Sequence, residues 1–161
     1  MVRDKLPVTP AVRFLNKEKV AYTGHLYDYE EHGGTTASAR QFGINEHIVI
    51  KTLVMEDEKK NPLLILMHGD MKVSTKKLAR HLGVKAITPC TPEIATRHTG
   101  YLVGGTSPFG TKRKLPVYLE ETIVDLPQIY INGGKRGFLV IMEPRELLRL
   151  LNPVLVKVGI N

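Results

Sequence analysis

The chain has 161 residues, 42% of them hydrophobic and 24% charged, with a formal net charge of +7 and a pI near 9.5. Those values are ordinary for one soluble domain covering 1–161, which at this size hides about 68–70% of its unfolded surface. Apolar runs such as Leu63 to Met67 are far too short to span a bilayer, so no membrane role is expected.

The excess of Lys and Arg favours a polyanionic partner, with RNA or DNA first among them. No Trp and only four Phe argue against an aromatic platform for stacking single strands. The lone Cys90 forms no internal disulfide, and no basic segment followed by an apolar one opens the chain. Both features lead to the expectation of a cytoplasmic protein.

In chain order, Thr9-Pro10 reads as the cap and first residue of a helix that ends at Lys17 to Lys19, with cations at both ends of that triplet. Val20 to Tyr29 reads as a strand. After the His32-Gly33-Gly34 loop, Thr35 or Thr36 is the expected cap of a short helix closed by Gly43. His47 to Met55 is rich in β-branched residues and reads as a strand. Across the polar turn 56–61 it forms a hairpin with Pro62 to His68. Ser74 caps a helix closed by Gly83, and Val84 to Ile87 is a short strand. Thr91-Pro92 starts a helix that stops at Gly100. Gly100 to Gly110 is a long glycine-rich loop. Strands are expected at 115–119, 128–131 and 137–142, with Asn132-Gly133-Gly134 as a glycine turn. A helix at 144–151 and a strand at 154–158 complete one α+β domain around a mixed, mostly antiparallel sheet.

Few residues carry obvious chemistry. The six histidines show no metal-binding spacing and there is no Cys-x-x-Cys, so no zinc and no cofactor are expected. No Gly-x-Ser-x-Gly elbow and no Walker loop occur. What remains is Lys51, alone among apolar residues of its strand, and two glycine-rich loops. An isolated lysine there commonly runs its stem over the core to reach water. Adjacent glycines can equally make a turn or present backbone N–H groups to an oxyanion. Together, a lysine and two donor-rich loops describe a site that polarises a small carbonyl compound without attacking it.

Thr9-Pro10-Ala11, Lys51-Thr52-Leu53, the block Thr99 to Gly110 and Gly133-Gly134-Lys135-Arg136-Gly137 together resemble the YbaK family. These are aminoacyl-tRNA deacylases related to the editing domain of bacterial prolyl-tRNA synthetase. The resemblance implies a partly barrel-like mixed sheet flanked by helices, and a trans-editing enzyme that clears cysteine from Cys-tRNA(Pro). It implies Lys51 and Gly104 as catalytic residues. Tyr27, Thr52, Gly105, Thr106, Ser107, Asn132, Gly133 and Gly134 would line the substrate site, with Asn132 where many members have serine or glycine. The implied reaction is substrate-assisted: the cysteine thiol attacks its own ester and leaves as a thiolactone. The implied partners are aminoacyl-tRNA and prolyl-tRNA synthetase, in a ternary complex, and neither DNA nor a membrane. An alanine-specific deacylase using water, and a non-catalytic tRNA- or synthetase-binding module, stay open as alternatives.

Overall fold

The computed structural model describes residues 5–161. The order opens with α1 (Pro10–Lys17), β1 (Thr23–Leu26), α2 (Gly34–Phe42), a 3-10 turn at Glu46–Ile48, β2 (Val49–Asp57), β3 (Pro62–His68), β4 (Lys72–Val73) and α3 (Thr75–Leu82). It continues with β5 (Ile87–Pro89), α4 (Pro92–Thr99), β6 (Val117–Glu120), a 3-10 turn at Glu121–Asp125, β7 (Ile129–Lys135), β8 (Phe138–Met142), α5 (Arg145–Leu151), β9 (Val154–Val156) and β10 (Gly159–Ile160). An eight-stranded mixed sheet runs β1-β8-β7-β2-β3-β6-β9, and β5 joins it through β2. The β2–β3 hairpin is antiparallel, whereas β2–β7, β3–β6 and β6–β9 are parallel. Strands β4 and β10 form a separate ribbon.

Side-chain alternation sets the layers. Ile50 and Val54 of β2, Leu64 and Leu66 of β3, and Ile129 and Ile131 of β7 face the main core, under α1, α4 and α5. The opposite face carries two smaller cores. Val49 packs there with Ala39 of α2, Tyr130 and Leu139, while Met55, Ile65 and Met67 pack with Leu78 and Ala79 of α3. Lys51 shares the face of Val49 and Met55 and falls between these two clusters.

Most helix signals act as expected. Thr9 Oγ1 accepts from the Val12 N–H at 3.0 Å, Ser74 Oγ from Lys77, and Thr91 Oγ1 from Ile94. Gly43, Gly83 and Gly100 close their helices with positive φ. Four expectations change. The strand expected over Val20 to Tyr29 is ladder only at Thr23–Leu26, where it meets β8, and the Asp28 N–H is taken by the Gln41 side chain. Gly33, not a threonine, stands at the α2 N-cap, because Thr35 and Thr36 both donate to the Glu46 carboxylate. Asn132-Gly133-Gly134 is not a turn. It lies in β7 at a register irregularity, and the chain reverses at Arg136-Gly137, where Gly137 has φ +80°. The strand expected over Val84 to Ile87 sits later, at Ile87–Pro89, where it meets Met55–Asp57 of β2.

Candidate active site

One edge of β2 is fully paired with β3, but the other is paired only at its ends. β7 pairs at Val49 and Ile50, β5 at Met55 to Asp57, and among the described residues the stretch between them has no ladder partner. The Val49 carbonyl accepts from the Gly69 N–H on the β3 side, and the Val54 carbonyl accepts from Cys90 on the other. Alternation along the strand therefore turns the N–H and C=O of Thr52 into the gap. The Thr52 hydroxyl oxygen is buried and has no hydrogen-bond partner among the described residues. A cleft of about 870 Å³ opens at this gap and reaches both faces of the sheet. It is lined by Thr35, Glu46 and Gly69 on the Lys51 face and by Cys90, Ala95 and Thr106 on the α4 face.

Lys51 is half-buried in this cleft and donates from Nζ to the Gly69 carbonyl at 3.4 Å. Burial pushes its pKa below the usual lysine range, partly opposed by the carboxylates of Glu46 and Asp70 and aided by the charge of Lys72. Thr35 Oγ1 donates to Glu46 Oε2 at 2.6 Å and to the same Gly69 carbonyl at 3.2 Å. Gly69 has no room for a side chain, since a Cβ there would lie 2.7 Å from the Val49 carbonyl oxygen. On the far side, His68 is fully buried, its ring stacked on His47 at 3.7 Å and held by the His47 carbonyl and Thr122. The carbonyl facing Lys51 is thus fixed by packing and by hydrogen bonds on both flanks.

The glycine-rich loop forms the opposite wall. Tyr101 donates its hydroxyl to the Phe109 carbonyl at 2.5 Å, and the buried Phe109 ring stacks on Phe14, so both ends of the loop are anchored in the core. Gly104 takes φ +92°, a conformation that favours glycine. Its carbonyl accepts from Asn132 Nδ2 at 3.1 Å, whereas its N–H makes none of the loop's hydrogen bonds. Gly105 is pressed on the β7–β8 turn, where a Cβ would come within 2.7 Å of the Arg136 backbone nitrogen. Arg136 donates from Nε to the Val103 carbonyl at 2.9 Å and covers the Tyr29 ring at 5.1 Å.

The residues singled out from sequence therefore occupy two kinds of place. Lys51, Thr52, Tyr27, Gly104, Thr106 and Asn132 line the cleft. Tyr27 is wedged against Phe42 with its hydroxyl pKa raised by burial. Thr106 donates to the Leu102 carbonyl inside the loop. Gly105, Ser107, Gly133 and Gly134 are not in the lining. Ser107 is fully buried and accepts from the Phe109 N–H, Gly133 abuts the Phe138 ring and accepts from Thr9 at 2.5 Å, and Gly134 donates to Asn132 Oδ1. They hold the wall from behind. Sequence reasoning missed Glu46, Gly69, Tyr29 and Arg136 as parts of the cleft; a carboxylate five residues before the strand lysine was the one usable signal.

Cys90 reaches the cleft, but burial and the nearby Glu56 push its thiol up to about 11, so it stays protonated at neutral pH. Among the described residues, no three His, Cys, Asp or Glu side chains come together as a metal site. No helix of the described residues is long and apolar enough to cross a membrane. Among the described residues, the cleft brings together a lysine, the Gly69 carbonyl and a wall formed by the glycine-rich loop, and its one thiol is not activated.

The family model described as an aminoacyl-tRNA editing domain matches residues 30–150. EbsC of Enterococcus faecalis, named as a candidate Cys-tRNA(Pro)/Cys-tRNA(Cys) deacylase, is 32% identical over 89% of this chain and 88% of its own. A proline–tRNA ligase of Thermodesulfovibrio yellowstonii is 32% identical over 71% of this chain, a piece that makes up 18% of the ligase. A solved structure described as a candidate trans-editing enzyme for prolyl tRNA synthetase superposes with a TM-score of 0.81 at 25% identity, covering 96% of this chain and all of its own.

Proposed function

Because the chain belongs to the family of aminoacyl-tRNA editing domains, we propose that it is a trans-acting deacylase that removes cysteine from mischarged Cys-tRNA(Pro). The observation that carries this reading is the gap in the β2 edge. There a lysine, a buried unpaired hydroxyl and unladdered strand backbone meet a glycine loop with an uncommitted N–H. Such a cleft can hold an ester and stabilise charge on its carbonyl oxygen.

In this reading the terminal aminoacyl ester enters between β2 and the Gly104 loop. Lys51 and the Gly104 N–H position the ester and the terminal ribose. Glu46 and Asp70 offset the field of Lys51, so that the positively charged α-amino group of the substrate is not repelled. The substrate supplies the nucleophile: its thiol releases a proton to solvent, the thiolate attacks the ester carbonyl carbon, the C–S bond forms, the ester C–O bond breaks, and solvent returns a proton to the ribose oxygen that leaves. Water then opens the four-membered thiolactone to free cysteine. A donor of this type contributes roughly 10²–10³ in rate. Editing at a second site suits this substrate, because a synthetic pocket discriminates weakly between side chains that differ by little more than one heavy atom.

Prolyl-tRNA synthetase in a ternary complex would supply tRNA selectivity, since the same type of domain forms part of the matched proline–tRNA ligase. A water-using, alanine-clearing reaction is the second reading, favoured by the Glu46 carboxylate that Thr35 and Thr36 hold beside Lys51. Deacylation rates of Cys-, Ala-, Ser- and Pro-charged tRNA(Pro), with and without the synthetase, separate the two. Clearance of Cys alone supports the thiol reaction, and preference for Ala over Cys sinks it.

A further inference from the structure

Between Asp70 and Glu93 the chain carries five Lys or Arg residues and no Asp or Glu. The fold gathers several of them. Lys77, Arg80 and His81 of α3 and Lys157 from the β9–β10 connection line a basin of about 350 Å³. All four are exposed, and among the described residues none of them is in a salt bridge. Lys77 stands three residues from Arg80 and four from His81, so these groups share one helix face, where the charges of Lys77 and Arg80 repel each other. A helix C-terminus favours cations, which accounts for Arg80. It does not account for Lys157, which a different element brings to the same basin.

The platform beneath is fixed. The Ser74 N–H donates to the Val158 carbonyl at 2.8 Å, which ties the start of α3 to the β9–β10 connection. The buried Glu120 carboxylate accepts from the N–H groups of Val158 and Gly159 at 2.7 and 2.9 Å, which pins the two residues after Lys157 and occupies both carboxylate oxygens. In the β4–β10 ribbon, Lys72 pairs across from Ile160. Lys72 is exposed and close enough to Lys51 for its charge to be felt there. A cationic track thus runs from the cleft through Lys72 to the basin.

We propose that this α3–β10 face is the surface that carries the phosphate backbone of tRNA while the aminoacyl end sits in the cleft. The proposal rests on the aminoacyl-tRNA reading above and adds the place of contact, which the cleft residues do not supply. Cations on a pinned backbone, with no salt bridge among the described residues, suit a regular polyanion, whose counter-ions are released on binding whatever its sequence.

The test is filter binding of uncharged tRNA to the full chain and to the triple variant Lys77→Gln, Arg80→Gln, Lys157→Gln, across 50–200 mM salt. Both are also assayed for deacylation of Cys-tRNA and of a short cysteinyl-CCA ester. A control variant removes Lys17 and Lys19 instead, exposed cations at the end of α1. At about 0.9 per phosphate contact, the triple variant should lower the slope of log affinity against log salt by about two to three. It should lose activity on Cys-tRNA and keep it on the short ester, while the control leaves both unchanged. Unchanged tRNA binding by the triple variant overturns the proposal. So does an equal loss in the control, or a loss seen only when synthetase is present, which would make the face a protein-docking surface. If the wild type deacylates neither substrate but its tRNA binding follows the basin, the surface stands and the activity reading falls.

Discussion

The Nζ of Lys51 donates to the carbonyl of Gly69 at 3.4 Å, and that carbonyl also accepts from Thr35. The lysine is therefore tethered by a neutral acceptor rather than neutralised by direct pairing with a carboxylate. Its charge is offset only at a distance, by Glu46 and Asp70, in a gap of the sheet where burial lowers its pKa.

Replacing Lys51 by Ala should lower deacylation by roughly 10²–10³ without loss of fold. Single-turnover rates and a thermal melt on the same preparation check this. Full activity in the variant removes Lys51 from the mechanism.

Lys51→Met should in addition be more stable than wild type at neutral pH, because the partly buried cation is removed. The sign follows from its lowered pKa in the folded chain. Between that value and the unfolded one, about 10.4, the folded state binds fewer protons, so wild-type stability rises with pH across that window. The advantage of the variant should shrink over the same window. Urea titrations at pH 7 and above 10 read it out.

Glu46→Gln removes a charge that raises the Lys51 pKa, so Lys51 should lose its proton at lower pH. The alkaline limb of kcat/KM, corrected for spontaneous ester hydrolysis, should move to lower pH, and KM should rise through weaker contact with the α-amino group. An unshifted limb separates Glu46 electrostatically from Lys51.

Gly105→Ala places a Cβ against the backbone of Lys135 and Arg136, which cannot swing aside as a side chain can. Overpacking of this sort costs about 1–3 kcal/mol. It should push the Gly104 loop off the cleft and reduce kcat more than stability alone explains. Asn132→Ala tests the other tether: it removes the bond to the Gly104 carbonyl and two acceptor contacts from Gly134 and Lys135. A stability loss of about 1–2 kcal/mol with reduced activity is expected. Wild-type kcat in both variants dissociates the loop's position from catalysis.

The hairpin of β2 and β3 was legible because its signal is local: two apolar runs around a polar turn. The helix ends were legible for the same reason, since Thr9, Ser74, Thr91 and the closing glycines act within a few residues. Asn132 to Gly134 misled because those glycines answer to packing rather than to a turn: the Phe138 ring across the hairpin stands behind Gly133, and the distant Tyr101 and Thr9 stand behind Gly134. Thr35 and Thr36 misled because a carboxylate at Glu46 competes successfully for hydroxyls that usually cap their own helix. Lys51 stood out as a lone charge in an apolar strand. The gap it occupies was invisible, because where β7 parts from β2 and where β5 joins depends on pairings far apart in the chain.

The central claim is that the substrate's own thiol does the chemistry in the Lys51 cleft. The most direct measurement compares hydrolysis of cysteinyl-tRNA(Pro) with that of S-methylcysteinyl-tRNA(Pro), which has nearly the same shape but no thiol. The expected result is rapid, Lys51-dependent clearance of the first and survival of the second. Equal clearance of both would contradict it.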